Sequence, residues 1–244
     1  MARSRSRLPR WATWLPLVAV AGCLAVGSLA VTDVVGTTGG AAARTRGAAL
    51  AGGAPAEAGP SVAPRVTLRP LRYVFPVAGC ETSYANGHHD YPAADIFADR
   101  GCRFVAPVDG TVEEVTRHDH WDPQENKGVT RGGRSVAIVG VDGVRYYGSH
   151  LERVRSGLAP GDQVHAGQLL GRVGDSGSAA GTGTHLHFGI SWPTERGHWW
   201  VRRGAVLPQP YLDAWRHGRD LSPATAVRRA ERREGRDVSC RAYC

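Results

Sequence analysis

From Leu71 to Ile190 no stretch sustains the period of an α-helix; apolar residues come in short β-type runs cut by Gly, Pro and Asp. Val105 to Val115 reads as two strands around an Asp-Gly turn. Ser135 to Val141 is a β-branched run that ends at Asp142-Gly143, a hairpin signal, and Val144 to His150 runs back from it. Gly161 to Val173 gives another pair of short strands and His185 to Ser191 one more. Such a pattern predicts a mainly β domain, a compact antiparallel sandwich or partly open barrel.

Two segments stand outside this pattern. Residues 117–134 are polar and turn-rich, a long loop of the kind that is functional when it interrupts a compact domain. Beyond Trp192, Pro208 to Trp215 and Pro223 to Glu234 predict short helical pieces, the second bearing Arg on most of its surface. Residues 36–68 are dominated by Ala, Gly, Pro and Thr with almost no large apolar side chain, too little to offset the entropy of ordering, and read as a linker. The chain thus divides into a basic and apolar segment over 1–35, the linker over 36–68, a β domain over 69–205 and a basic C-terminal extension over 206–244.

At the N-terminus, Arg3, Arg5, Arg7 and Arg10 precede an apolar stretch from Trp11 to about Val35, long enough to span a bilayer as a helix with the remainder of the chain outside. A membrane anchor and a cleaved export signal both fit. Val20 to Cys23 also resembles a lipobox, although Leu24 to Val35 stay apolar where a lipoprotein turns polar. Either way the expected location is extracytoplasmic, membrane-anchored or secreted. Cysteine usage agrees, because the four Cys beyond the apolar stretch form an even set, as disulfides in an oxidising compartment require. Cys80 with Cys102 is the favoured pair, and Cys240 with Cys244 would close a small loop. The formal net charge of +8 suits a membrane surface, an anionic wall or nucleic acid alike. No motif points to nucleic acid, which is not expected as a partner.

Histidine carries the chemistry. On a strand, His185 and His187 project together while Leu186 and Phe188 face the core. Asp95, between apolar Ala94 and Ile96, has its carboxylate on the face opposite theirs. Two imidazoles and a carboxylate, with a fourth position open to water, are the set a catalytic zinc takes. The helical H-E-x-x-H motif is absent, so the ligands must come from strands and loops.

HHDYPAADIFADRGCRFVAPVDGTV, then YYGSHL, then GDQVHAGQLLGRVGDSGSAAGTGTHLHF resemble, in order and spacing, the lysostaphin and LytM-type zinc metallopeptidases, over about residues 75–190. The resemblance implies a zinc endopeptidase that hydrolyses peptide cross-links or stem peptides of bacterial peptidoglycan. It implies one Zn2+ per chain on His89, Asp95 and His187, with His150 and His185 as catalytic residues that do not bind the metal. The family spaces its first two ligands as H-x-x-x-D, which here falls on Tyr91; His89 precedes Asp95 by two residues more, and His88 stands as its rival. A biotinyl or lipoyl carrier shares the APVDGTVEEV and GDQVHAGQLLG pattern but needs a lysine at a hairpin tip, and the only lysine, Lys127, lies in the polar loop.

Overall fold

The computed structural model describes residues 70–235 together with 239 and 240. The anchor or signal expected over 1–35, the linker over 36–68 and the Cys240–Cys244 loop fall wholly or partly outside the described residues. Among those described, no helix is long and apolar enough to cross a membrane.

Among the described residues, ten strands form two antiparallel sheets. In chain order they are β1 (Val77–Ala78), β2 (Ala94–Phe97), β3 (Arg103–Val105), β4 (Gly110–Thr116), β5 (Ser135–Gly140), β6 (Arg145–Ser149), β7 (Leu151–Val154), β8 (Gln163–Val164), β9 (Leu169–Val173) and β10 (His185–Ser191). The smaller sheet runs β1-β3-β9-β7 and the larger β2-β10-β6-β5-β4-β8. Three helices follow among the described residues: α1 (Trp199–Arg202), α2 (Gln209–Arg216) and α3 (Ala224–Glu234).

The hairpin at Asp142-Gly143 forms as the sequence predicts, with β5 and β6 paired from Val136↔Gly148 to Val139↔Arg145. Val105 to Val115 does not form one, because β3 belongs to the smaller sheet and β4 to the larger. Pro107 between them has no amide proton to give a ladder, and its neighbours bond elsewhere: the Ala106 N–H donates to the Gln168 carbonyl and the Val74 N–H to that of Pro107. The strands of Gly161 to Val173 part in the same way, β8 pairing with β4 and β9 with β3 and β7.

Val112, Ile138, Tyr146, Leu186, Phe188 and Ile190 of the larger sheet pack in one buried cluster with Phe104, Leu151, Leu170 and Val173 of the smaller. Leu212 and Trp215 of α2 and Val227 and Ala230 of α3 join that cluster. Trp215 stacks on Tyr73 with ring centroids 5.4 Å apart. Arg145, fully buried, reaches Glu113 at 2.5 Å and Glu114 at 3.0 Å, and Arg202 of α1 meets the same carboxylates at 3.0 and 2.6 Å. Removing one member would leave buried charge without its partner, at a cost of about 3–5 kcal/mol. This network ties α1 to the outer side of the larger sheet, opposite the shared core. Cys80 and Cys102 are joined by a disulfide beside β3, as predicted.

Candidate active site

Register places the first pair of site residues. β10 and β2 are antiparallel neighbours with His187 opposite Asp95, and directly opposed residues share a face. His187 Nδ1 lies 2.8 Å from Asp95 Oδ1, and His185 Nε2 lies 3.9 Å from the same oxygen. Leu186, Phe188, Ala94 and Ile96 are buried on the other face, as their alternation requires.

His150 arrives from a corner. β6 ends at Ser149 in the larger sheet and β7 starts at Leu151 in the smaller, so His150 makes the step, in the left-handed region at φ 63°. That conformation costs a non-glycine residue on the order of 1–3 kcal/mol and persists where the surroundings fix it. Here the flanking amides of His150 and Leu151 donate to the carbonyls of Gly132 and Arg134, both at 3.0 Å. The ring sits 4.9 Å from that of His185 and 5.9 Å from that of His187.

The loop before β2 supplies His88, His89 and Tyr91. The His88 side chain is only 7% exposed, with Nε2 3.7 Å from Asp95 Oδ2 and its ring edge-on to His187 at 5.1 Å. The His89 side chain is 72% exposed and its Nε2 meets Asp90 at 3.0 Å. His88, His89 and Asp95 still offer ligand atoms within 4.8 Å of one another, so both histidines border the site while His88 alone turns its ring inward. Together with His150, His185 and His187 they line a cavity of about 280 Å³, walled on one side by Arg131 and Gly132 of the long polar loop. The Asp119 carboxylate of the same loop accepts the Gly177 N–H at 2.7 Å, anchoring one wall to the other.

Hydrogen bonds fix the tautomers. His150 Nδ1–H donates to the Ser176 carbonyl and His185 Nδ1–H to that of Gly183, each at 2.7 Å, which leaves both Nε2 atoms with a free lone pair. His187 has a choice. With its proton on Nδ1 it donates to Asp95; with the proton on Nε2 it donates to the Arg203 carbonyl at 3.2 Å, and Nδ1 is freed as a ligand in the manner of metal-bound histidines. His88 Nδ1 accepts the Asp90 N–H at 3.2 Å, so a metal on Nε2 would require this long contact to give way.

Burial would raise the Asp95 carboxyl, but the hydrogen bond and charge of His187, with the charges of His185 and His88, hold it well below the usual range. Burial pushes His150 down to about 3 and His88 to about 4, helped in both by neighbouring His187. Burial also raises the Tyr91 phenol, against the pull of Arg203. At neutral pH the site therefore holds an ionised carboxylate with His88 and His150 neutral. Two imidazoles and a carboxylate in one half-buried patch suit zinc, and the described cysteines nearest the motif are consumed in their disulfide.

Residues 89–198 match the model of Peptidase family M23. This stretch is similar to the peptidase domains of family M23. The match takes in His89, Asp95, His150, His185 and His187, and stops short of His88 and Arg203. The chain is 31% identical over 134 residues to the L-Ala--D-Glu endopeptidase of Bacillus subtilis (strain 168), covering 53% of this chain and 36% of that protein, so it spans little more than a third of the relative's length. Among solved structures, the lysostaphin catalytic domain of Staphylococcus simulans is 24% identical, covering 54% of this chain and 92% of that one, at a TM-score of 0.41. A lytM structure from Ruminococcus gnavus ATCC 29149 is 25% identical, covering 61% and 62%, at 0.46.

Tyr91 and Arg203 belong to the site, although only Tyr91 drew notice in the sequence, through the ligand spacing. The Tyr91 hydroxyl is 3.2 Å from His187 Nε2, and the Arg203 guanidinium lies over the Tyr91 and Trp199 rings at 5.3 and 4.6 Å. Arg203 follows α1, and Gly189 of β10 admits its main chain: a Cβ at Gly189 would collide with the Arg203 carbonyl, the one that His187 faces.

Proposed function

We propose that this chain is a zinc-dependent endopeptidase that hydrolyses peptide bonds in the cross-links or stem peptides of bacterial peptidoglycan, outside the cytoplasm. The observation that carries the reading is the convergence on Asp95 of His187 at 2.8 Å, His88 at 3.7 Å and His185 at 3.9 Å, with the His150 ring next to that of His185. The match to family M23 and the relative's name as an L-Ala--D-Glu endopeptidase support the substrate class. The basic N-terminal segment supports export, by an anchor or a cleaved signal.

Asp95 and His187 hold one Zn2+, and His88 is a better third ligand than His89, because the His88 ring is buried against both. Zinc in such a site supplies Lewis acidity toward a peptide carbonyl and toward water. His150 and His185, each with Nδ1–H pinned by a main-chain carbonyl, present an Nε2 lone pair to the cavity: either can take the proton of the attacking water, and the imidazolium so formed then donates from Nε2 to the developing oxyanion. The polar loop at Arg131 and Gly132 confines the substrate on one side.

The test is digestion of purified cell walls with the zinc-loaded protein and identification of the released fragments by mass. New peptide termini with about one zinc per chain are expected. Intact stem peptides and cross-links after prolonged digestion would overturn the reading.

A further inference from the structure

Beside the candidate active site lies a second cavity of about 310 Å³, lined by Arg145, Arg196, Arg202 and Arg203, with His118, Tyr147 and Trp199 among its other walls. The two cavities share Gly132 and Arg203, so Arg203 borders both. The charges are not alike in their state. Arg145 and Arg202 are matched by Glu113 and Glu114. Arg203 is more than nine-tenths buried, yet among the described residues no carboxylate lies within ion-pair distance of it.

A buried guanidinium stays charged, and a buried charge without a counter-charge is costly. Arg203 is partly compensated by the Tyr91 and Trp199 rings, an attraction to the Tyr91 hydroxyl and one long bond from Nη2 to the Gly128 carbonyl at 3.4 Å. Its Nε has no partner at all. Ser149, whose residue stands opposite His187 in the register, likewise has a buried Oγ without a partner and lines the first cavity. The lining of the first cavity therefore holds two unspent hydrogen-bonding groups, and the cationic one also borders the second cavity.

We propose that Arg203 determines specificity by binding a free carboxylate of the substrate peptide, one residue or so from the bond that is cut, at the junction of the two cavities. The occupant is an acidic peptide: a carboxylate supplies the missing counter-charge and matches the planar fork of the guanidinium, which a carboxamide does not. The inference rests on the peptidase reading, and it adds that a neutral, amidated substrate is a poor one.

The experiment uses two synthetic stem peptides that differ only in a carboxylate or a carboxamide next to the scissile bond. Hydrolysis and equilibrium binding of both are measured on zinc-loaded full-length protein, for the natural chain and for Arg203→Met and Arg203→Lys. The natural chain is expected to favour the carboxylate by about tenfold or more, mainly in KM and in Kd. Arg203→Met should bring both ratios close to one, and Arg203→Lys should fall between, while each variant keeps its zinc. A ratio near one in the natural chain, or an unchanged ratio in Arg203→Met, overturns the proposal. Because binding is read separately, a chain that cleaves neither peptide would refute the peptidase reading, and its binding ratio would still decide the role of Arg203.

Discussion

Asp95 and His187 stand opposite each other in the β2–β10 register and meet at 2.8 Å. One carboxylate held by one cross-strand imidazole is the fixed point to which every other group of the site is referred. Asp95→Ala and His187→Ala should each lose zinc and wall hydrolysis together, since under the proposed assignment each removes one of three protein ligands. Metal analysis and turnover on the same sample check this; full zinc with full rate in either variant would sink the assignment.

The adjacent histidines should separate cleanly. His88→Ala removes a buried ring facing Asp95 and His187 and is expected to release the metal. His89→Ala removes a ring whose contacts are the His88 ring and Asp90 at the surface, and is expected to keep close to a full zinc equivalent. The reverse result would return the third ligand to His89.

Acid should loosen the metal-stripped fold well before carboxylates titrate. His88 and His150 have pKa values lowered by burial to about 4 and about 3, below the roughly 6.5 of a free imidazole. The unfolded chain therefore binds protons that the folded chain refuses, and the linked stability is complete above pH 6.5 and lost as pH falls toward 4 and 3. Thermal midpoints of the stripped protein should drop between pH 7 and pH 4.5. The slope should be shallower in His150→Asn, and an identical slope would show that His150 is not held neutral.

Much of this was legible in the sequence because strand alternation is a strong signal. His185 to Ser191 alternates as a strand over the bounds it has in the fold, and the same rule sets Asp95 opposite Ala94 and Ile96. The hairpin at Asp142-Gly143 was local and therefore visible. The split of Val105 to Val115 between sheets was not, because an Asp-Gly turn looks alike whether it closes a hairpin or carries the chain from one sheet to another. Arg203 was hidden for a similar reason: it reaches the site through the docking of α1 against Gly189, a long-range contact with no period to betray it. The direction of the His88 ring depends on loop geometry, which spacing alone leaves open.

Gly189 offers a structural test of that docking. A Cβ there would collide with the Arg203 carbonyl, so Gly189→Ala must push α1 outward or bend β10, at about 1–3 kcal/mol for an overpacked site. Because His187 Nε2 faces that same carbonyl, the variant should also bind zinc more weakly than its loss of stability explains. Denaturant unfolding of the stripped protein and zinc titration in native buffer measure the two effects separately. An unchanged zinc affinity would mean that the carbonyl does not orient His187.

The last expectation concerns His150, where metal binding and proton chemistry should come apart. Its ring is positioned by a left-handed corner and by the Ser176 carbonyl, and its nearest ring neighbours are His185 and His187. Asn tolerates the left-handed region better than most other non-glycine residues, so His150→Asn removes the imidazole without adding strain at the corner. The variant should keep close to a full zinc equivalent while hydrolysis falls by about a hundredfold or more, the range for losing a positioned acid or base. A ligand substitution cannot do this, because it loses metal and rate together. Loss of zinc in His150→Asn would make His150 a ligand, and an unchanged rate would leave it a structural corner residue.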